Sequence, residues 1–498
     1  MTRSSCAPIA LCAAIGLCVV LMPAADTLPE STNTRILNRA AQLLPDEAHW
    51  NRADTRDCPA RQSKLSLYCA LRQATAEVMG ESSHRTTAME EVRALIEAKV
   101  GSPDYQHRLM GYNNDPSTRL SDIHALLKTA AERLEQRLAA ISPRGFDRML
   151  LLEEKGETSA SVSIGDLNGD GYLDLVLGKG RHWPLLDRVL LNDGKGHFTA
   201  HDLGNTPDRT YSAALADVNR DGFLDVVISN DAPDRKLVYL NDGKGNFRVA
   251  GTFGSKEWTT RYVTLADLNG DGYPDIIAAN RGDPPKEPHP SFVCLNDGKG
   301  NFPSCTQLPG TESATIIVAA DFDGDGAIDL FVPHRDRGQS VIFWNDGKGG
   351  FTQRTLVGPP DSAARAAAAG DLNGDGRPDL VVGDERQGTF IYLNEGKREF
   401  SEPIMISPRK RVPYAVAIAD MNRDAKADIV VGYVEARGSV FFNDGTGINF
   451  REIPWGDGKG DVYGIAIGDL DGDGWPDIAA ARSDARNAVW FSTRFGPK

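Results

Sequence analysis

Along residues 146–498 the apolar positions fall in short runs of strand length, four to a unit, and the unit recurs about every 50 residues. In the second unit SAALAD and LDVVIS flank a polar loop, KLVYLN follows a second loop, and FRVAGTF follows an Asn-Asp-Gly turn. Runs of this length bounded by turn residues predict strands, and a fixed period of this size marks a repeat architecture. Upstream the period changes. In ILNRAAQLL, ARQSKLSLYCALRQATAEV, AMEEVRALIEAKV and LSDIHALLKTAAERLEQRLAAI the apolar residues return every three or four positions. Residues 26–145 therefore read as a small all-α domain. Residues 1–25 carry Arg3, an apolar stretch from Ala7 to Met22 and Pro-Ala-Ala before Asp26. This predicts a secretory signal peptide, its apolar core being short for a membrane span, with an uncleaved N-terminal anchor as the alternative.

The loop between the first two strands of each unit keeps one design. The seven copies are DLNGDGYLD (166–174), DVNRDGFLD (217–225), DLNGDGYPD (267–275), DFDGDGAID (321–329), DLNGDGRPD (371–379), DMNRDAKAD (420–428) and DLDGDGWPD (469–477). Each offers side-chain oxygens at positions 1, 3, 5 and 9 and a backbone carbonyl at position 7. In the first loop these are Asp166, Asn168, Asp170, Tyr172 and Asp174; in the second, Asp217, Asn219, Asp221, Phe223 and Asp225. The third has Asp267, Asn269, Asp271, Tyr273 and Asp275, and the fourth Asp321, Asp323, Asp325, Ala327 and Asp329. The fifth has Asp371, Asn373, Asp375, Arg377 and Asp379, and the sixth Asp420, Asn422, Asp424, Lys426 and Asp428. Asp469, Asp471, Asp473, Trp475 and Asp477 complete the set.

All-oxygen donors at alternating positions suit a hard cation of flexible coordination, Ca²⁺ ahead of Mg²⁺ or a transition metal. An EF-hand is excluded: position 12, where it needs a bidentate Glu, is Leu177, Ile228, Ala278, Val332, Val382, Val431 or Ala480. Asp/Asn/Gly turns without metal are the alternative, but turns do not need convergent carboxylates, which repel one another. The formal net charge of −14 is what seven divalent ions would neutralise. Six to seven Ca²⁺ per chain are expected. The sixth loop departs furthest, with Ala425 where the others have Gly.

A second motif recurs in six of the seven units as LNDGKGHF (191–198), LNDGKGNF (240–247 and 295–302), WNDGKGGF (344–351), LNEGKREF (393–400) and FNDGTGINF (442–450). Together with the acidic loops it resembles the FG-GAP/VCBS repeat, the calcium-loop blade of integrin α-subunit heads and many bacterial surface proteins. That resemblance implies a seven-bladed β-propeller over residues 146–498 with Ca²⁺ in the loops between the first two strands of each blade. The last repeat stops after NAVWFS (487–492), and an orphan run, FDRMLLLE (146–153), precedes the first. We expect this run to supply the missing strand and close the ring.

Three of the seven cysteines (Cys6, Cys12 and Cys18) lie in the signal segment. The remaining four suggest Cys58–Cys69 and Cys294–Cys305 bridges, the second placed across an Asn-Asp-Gly turn, with reduced thiols as the alternative.

The acidic loops and Asn-Asp-Gly turns share one face of a propeller, so the remaining loops must emerge on the other. Each within-blade loop there holds an Arg: Arg181, Arg235, Arg281, Arg335, Arg386, Arg437 and Arg482, with Trp183 beside the first. The blade-to-blade segments add Arg209, Tyr211, Trp258, Arg261, Tyr262, Arg411, Tyr414 and Tyr463. Guanidiniums among aromatic planes suit glycans, carboxylate-bearing ones included, or a cell-surface or extracellular protein partner. The acidic balance argues against nucleic acid. No HExxH, GxSxG, Walker or paired CxxC motif appears. A polysaccharide lyase or hydrolase would have to draw on His182, His289 or His334; a scaffold for the helical domain is the third reading. Arg281-Gly282-Asp283 falls in a generic turn. In the helical domain Asp54, Arg56, His107, Tyr112, Asn113 and Asn114 are either a binding or catalytic patch or satisfied polar groups between helices. The expected location is secreted, periplasmic or at the cell surface.

Overall fold

The computed structural model describes residues 30–495 except 61, 102–106, 283–288 and 337. The expected signal segment and Asp283 lie outside the described residues. Five helices come first: α1 (Thr32–Gln42), α2 (Leu67–Met79), α3 (Thr87–Val100), α4 (Arg108–Asn114) and α5 (Leu120–Ala139). Ser31, Ser66 and Thr86 cap α1 to α3, each side-chain oxygen accepting a hydrogen bond from a first-turn backbone N–H. The apolar stripes read from the sequence meet in one core containing Ile36, Leu71, Val92, Ile123 and Leu134.

Seven four-stranded antiparallel blades follow. Their first strands begin at Ser159, Thr210, Thr260, Val318, Ala364, Pro413 and Asp461. Each first strand packs against those of both neighbouring blades, which places all seven around the central axis. This explains their composition: SASVSIG and ARAAAAG, for example, are built from small residues because seven strands converge there. The second strands, such as LVLG and VVIS, are buried along their whole length and form the sandwich between blades. In the last blade Arg144–Leu151 pairs antiparallel with Ala488–Arg494, so one N-terminal strand and three C-terminal strands share a sheet. Both disulfides are present, Cys58–Cys69 and Cys294–Cys305, each joining residues 11 apart in sequence.

A repeated clip joins the blades. The side-chain amide of Asn192 donates to the Leu173 carbonyl of its own blade (3.0 Å) and to the Leu470 carbonyl of the preceding one (2.9 Å). Asn241, Asn296, Asn345, Asn394 and Asn443 do the same with their neighbours. In the last blade Ser492 stands where the others have Asn, its N–H bonded to Asp477. The helical domain packs on the outer edges of the fifth and sixth blades. Its core runs on into Tyr392 and Met405, and Arg137 bridges Glu91 of α3 (2.7 Å) to Asp444 of a blade turn (2.8 Å).

Candidate functional site

Each acidic loop is pre-folded by its own backbone. In the first, Asp166 accepts from the N–H groups of Gly169 (2.7 Å) and Gly171 (2.9 Å), Asn168 from Asp170 (2.9 Å), and Asp170 from Tyr172 (2.9 Å). Asp174 is fully buried and accepts from the N–H groups of Leu167 (2.9 Å) and Asn192 (2.7 Å), tying the loop to the Asn-Asp-Gly turn. The bond from the position-6 N–H to the first Asp recurs in all seven copies. Positions 4 and 6 both adopt positive φ, which is why five loops have Gly at both. The sixth holds the same conformation with Arg423 (φ 58°) and Ala425 (φ 64°). Where position 7 is aromatic, its ring covers the turn glycine: a Cβ on Gly194 would meet Tyr172 at 2.3 Å.

Burial raises the position-9 carboxyls, to about 6 for Asp225, Asp329 and Asp379 and about 7 for Asp428 and Asp477; the backbone bonds pull the other way. Two loops bring three carboxylates within 4.8 Å of one another, Asp321–Asp323–Asp325 and Asp469–Asp471–Asp477. These are the loops with Asp at position 3; in the others Asn supplies a neutral oxygen there. The donors are hard oxygens, gathered on a loop whose conformation is already set by backbone bonds, and they fit a hard divalent cation.

A second site lies at the mouth of the central channel, a cavity of about 300 Å³. Its lining follows a rule. The residue six before the first Asp of each acidic loop is Ala160, Tyr211, Arg261, Thr315, Arg365, Tyr414 or Tyr463, and all seven line the cavity. In six blades a β-bulge falls at this residue, leaving it outside the pairing register. A bulge re-aims a side chain, here into the channel. A second ring, fourteen residues after the same Asp, supplies Arg281 and Arg335 together with the counter-charges Asp231 and Glu385.

Cations and rings alternate around the mouth. Arg261 lies 4.2 Å from the Tyr211 centroid, Arg181 is 5.9 Å from Tyr211 and 3.8 Å from Tyr463, and Arg365 is 5.1 Å from Tyr463 and 3.6 Å from Tyr414. The Tyr211 hydroxyl is 3.1 Å from the His182 ring. Burial, then Arg181 and Arg261, push the His182 pKa down, so its imidazole is neutral at pH 7. Burial raises the phenols of Tyr211 and Tyr463, which stay protonated.

Of the expected face residues, Arg181, Tyr211, Arg261, Tyr262, Arg281, Arg335, Tyr414 and Tyr463 converge on this mouth. The others do not reach it. Arg209 pairs with Asp234, Arg411 with Glu452, and Arg482 is buried against Asp457. Arg437 donates to the Gly456 carbonyl, Trp258 stacks on Phe292, and Trp183, Arg235 and Arg386 stay exposed. His182 lines the mouth, whereas His289 bonds Thr259 and His334 lies against Gly338. Arg365 escaped the sequence reading because it sits inside the small-residue strand ARAAAAG and not in a loop; its fixed offset from Asp371 was the available signal.

In the helical domain, Asn113 is buried and holds the Trp50 indole (2.8 Å), the Leu67 N–H (2.9 Å) and the Asn51 carbonyl (2.9 Å). Asn114 bonds the backbone of Asp54 in both directions, Asp54 accepts from the Arg56 N–H, and Tyr112 meets Lys99. These polar groups fasten the loops between helices. Arg56 and His107 instead border a shallow cavity with Tyr68 and Arg93. Among the described residues no helix is long and apolar enough to cross a membrane.

The profile of a family described as FG-GAP-like repeat matches residues 166–228, 217–278, 267–332, 321–382, 371–431 and 420–480. A family of unknown function (DUF6197) matches residues 29–133. Among solved structures, the lectin BP39L of Burkholderia pseudomallei is similar at a TM-score of 0.54 and 16% identity, over 68% of this chain and 98% of that one. A lectin of Agrocybe aegerita that recognises non-reducing terminal N-acetylglucosamine is similar at a TM-score of 0.46 and 22% identity, over 66% of this chain and 87% of that one.

Proposed function

This chain belongs to the FG-GAP-like repeat family, and on that premise we propose that it is an exported, calcium-stabilised recognition module whose Arg/Tyr channel mouth receives a glycan or a protein partner. One observation carries the reading. The acidic loops repeat almost unchanged, yet the seven residues six before the first Asp read Ala, Tyr, Arg, Thr, Arg, Tyr and Tyr. A blade can evidently be built with any of them, so the cations and phenols gathered there are not demanded by blade folding. The fold likeness to a bacterial lectin is in keeping with a sugar as the guest.

Calcium would sit in the acidic loops, held by the side-chain oxygens at positions 1, 3, 5 and 9 and the carbonyl at position 7. There it neutralises carboxylates that otherwise repel one another, and it stiffens the edge opposite the mouth. The experiment is a glycan array together with a protein-partner capture, run in Ca²⁺ and in chelator on the full chain and on Tyr463→Ala. Binding that disappears with Tyr463→Ala supports the mouth; binding untouched by it removes the mouth from the function.

A second reading, a polysaccharide-active enzyme, draws on the Tyr211–His182 contact beside Arg181 and Arg261. A neutral imidazole bonded to a phenol is a proton-handling pair. Depolymerisation of a bound glycan that stops with His182→Ala would favour it over a binding module.

A further inference from the structure

We infer that the ligand of the mouth is an acidic glycan, and that Arg181 receives its carboxylate. This rests on the recognition reading above and narrows it to a ligand class and a residue.

Four of the five guanidiniums at the mouth are already committed. Arg261 pairs with Asp231 at 2.9 Å, and Arg281 makes a two-point contact with Asp336 at 2.8 and 2.9 Å. Arg335 and Arg365 share Glu385 at 2.9 and 2.8 Å. Arg181 differs. Among the described residues it takes part in no ion pair; Asp461 acts on it only through its field. Its Nη1 donates to the Ser483 hydroxyl at 3.1 Å, it lies 3.8 Å from the Tyr463 centroid, and it also hydrogen-bonds the Tyr211 phenol. Its Nε is buried without a hydrogen-bond partner.

A buried donor left unmade is costly, and here it belongs to a permanent cation. The contact with Tyr463 fixes the plane of the guanidinium, whose planar fork of donors matches a carboxylate. The residue is also held at a positive φ of 50°, uncommon for any side chain other than glycine, with its N–H bonded to the Thr210 carbonyl at 3.0 Å.

The surroundings favour a sugar as the bearer of that carboxylate. Tyr211, neutral His182 and Thr315 offer uncharged donors and acceptors of the kind hydroxyl groups use. Ala160, Ala366 and Gly464 leave a smooth apolar floor for the C–H face of a pyranose ring. A tetrahedral dianion would call for a second free cation beside Arg181, and the nearest candidates are held by Glu385 and Asp231.

The test is calorimetric titration of the full chain, in Ca²⁺, with tri-galacturonate and with its methyl ester. The acid should bind, and the neutral ester should bind about tenfold more weakly or worse, as expected for loss of a charge-assisted pair. Arg181→Gln and Arg181→Lys should both weaken the acid by about the same factor, since lysine keeps the charge but not the fork. Arg437→Gln, outside the mouth, should change nothing. The acid–ester comparison uses unaltered protein, so it decides the matter even if an Arg181 variant folds poorly. Equal binding of acid and ester overturns the carboxylate assignment while leaving the recognition reading standing. Binding of neither trimer overturns the ligand class, and the recognition reading is then judged by the array and the Tyr463→Ala protein.

Discussion

The carboxylate of Asp174 holds the backbone N–H of Asn192 at 2.7 Å, while the side chain of Asn192 reaches the Leu470 carbonyl of the last blade at 2.9 Å. One buried contact thus links an acidic loop, a hairpin turn and the seam that closes the ring. Asn192→Ala leaves two buried carbonyls, those of Leu173 and Leu470, without their donor. We expect a loss of about 2–4 kcal/mol, read by urea or guanidinium unfolding. A loss under about 0.5 kcal/mol, the level of an ordinary surface change, would show that the clip does not hold the seam.

If calcium binds only the folded chain, as proposed, it adds stability of RT ln(1 + [Ca²⁺]/Kd), about 3 kcal/mol per site at a hundredfold excess over Kd. Chelator should therefore lower the melting temperature sharply, and metal analysis should return six to seven ions per chain. Asp271→Ala should remove one ion. An unchanged stoichiometry in that variant would show that the third loop is a turn and not a ligand set.

Ala425 occupies the left-handed region, at φ 64°, in the one loop that lacks both glycines. Ala425→Gly removes a steric penalty of about 1 kcal/mol and should raise the melting temperature by a degree or more, about in proportion. The effect should appear in chelator as well as in calcium, because it is a property of the backbone.

Asp187 is buried and accepts from the Lys179 N–H (2.7 Å) and the Thr210 hydroxyl (2.9 Å). Burial outweighs those bonds and raises its pKa from 3.8 to about 7. An acid raised on folding contributes stability that is fully present below its unfolded pKa and is lost as pH rises through the folded value. Stability should fall between about pH 4 and pH 7 by an amount on the order of a few kcal/mol from this group. Asp187→Asn should flatten that part of the profile at fixed calcium. Asp208, raised to about 6 by burial and then by Asp234, leaves a smaller slope of the same sign. An unchanged profile in Asp187→Asn would mean the carboxyl is ionised throughout.

The helical domain shows how far polar patterning can be read. HWNRADTRDC and HRLMGYNNDP are rich in chemistry-bearing side chains, yet Asn113 and Asn114 spend theirs on loop backbone around Trp50, Asp54 and Leu67. Hydrogen-bonding capacity is visible in a sequence; the direction in which it is spent is not.

What the sequence determined by itself is whatever closes over a few residues. The nine-residue loops are set by Asp and Asn side-chain oxygens accepting from N–H groups two to five positions away, the turns by glycines at positive φ, and the Cys294–Cys305 bridge by a register one hairpin long. Their repetition about every 50 residues was enough to yield seven blades. Membership of the mouth was decided only by the tertiary structure. Tyr211, Arg365 and Tyr463 lie on three different blades, and they share a cavity because the ring closes and a bulge in each inner strand turns one side chain toward the axis. The same closure gives Arg261 its partner Asp231 on the neighbouring blade and, among the described residues, leaves Arg181 without an ion pair. Local bonding is fixed by residues that are neighbours in the chain, whereas charge pairing at the axis depends on which blades are neighbours in space.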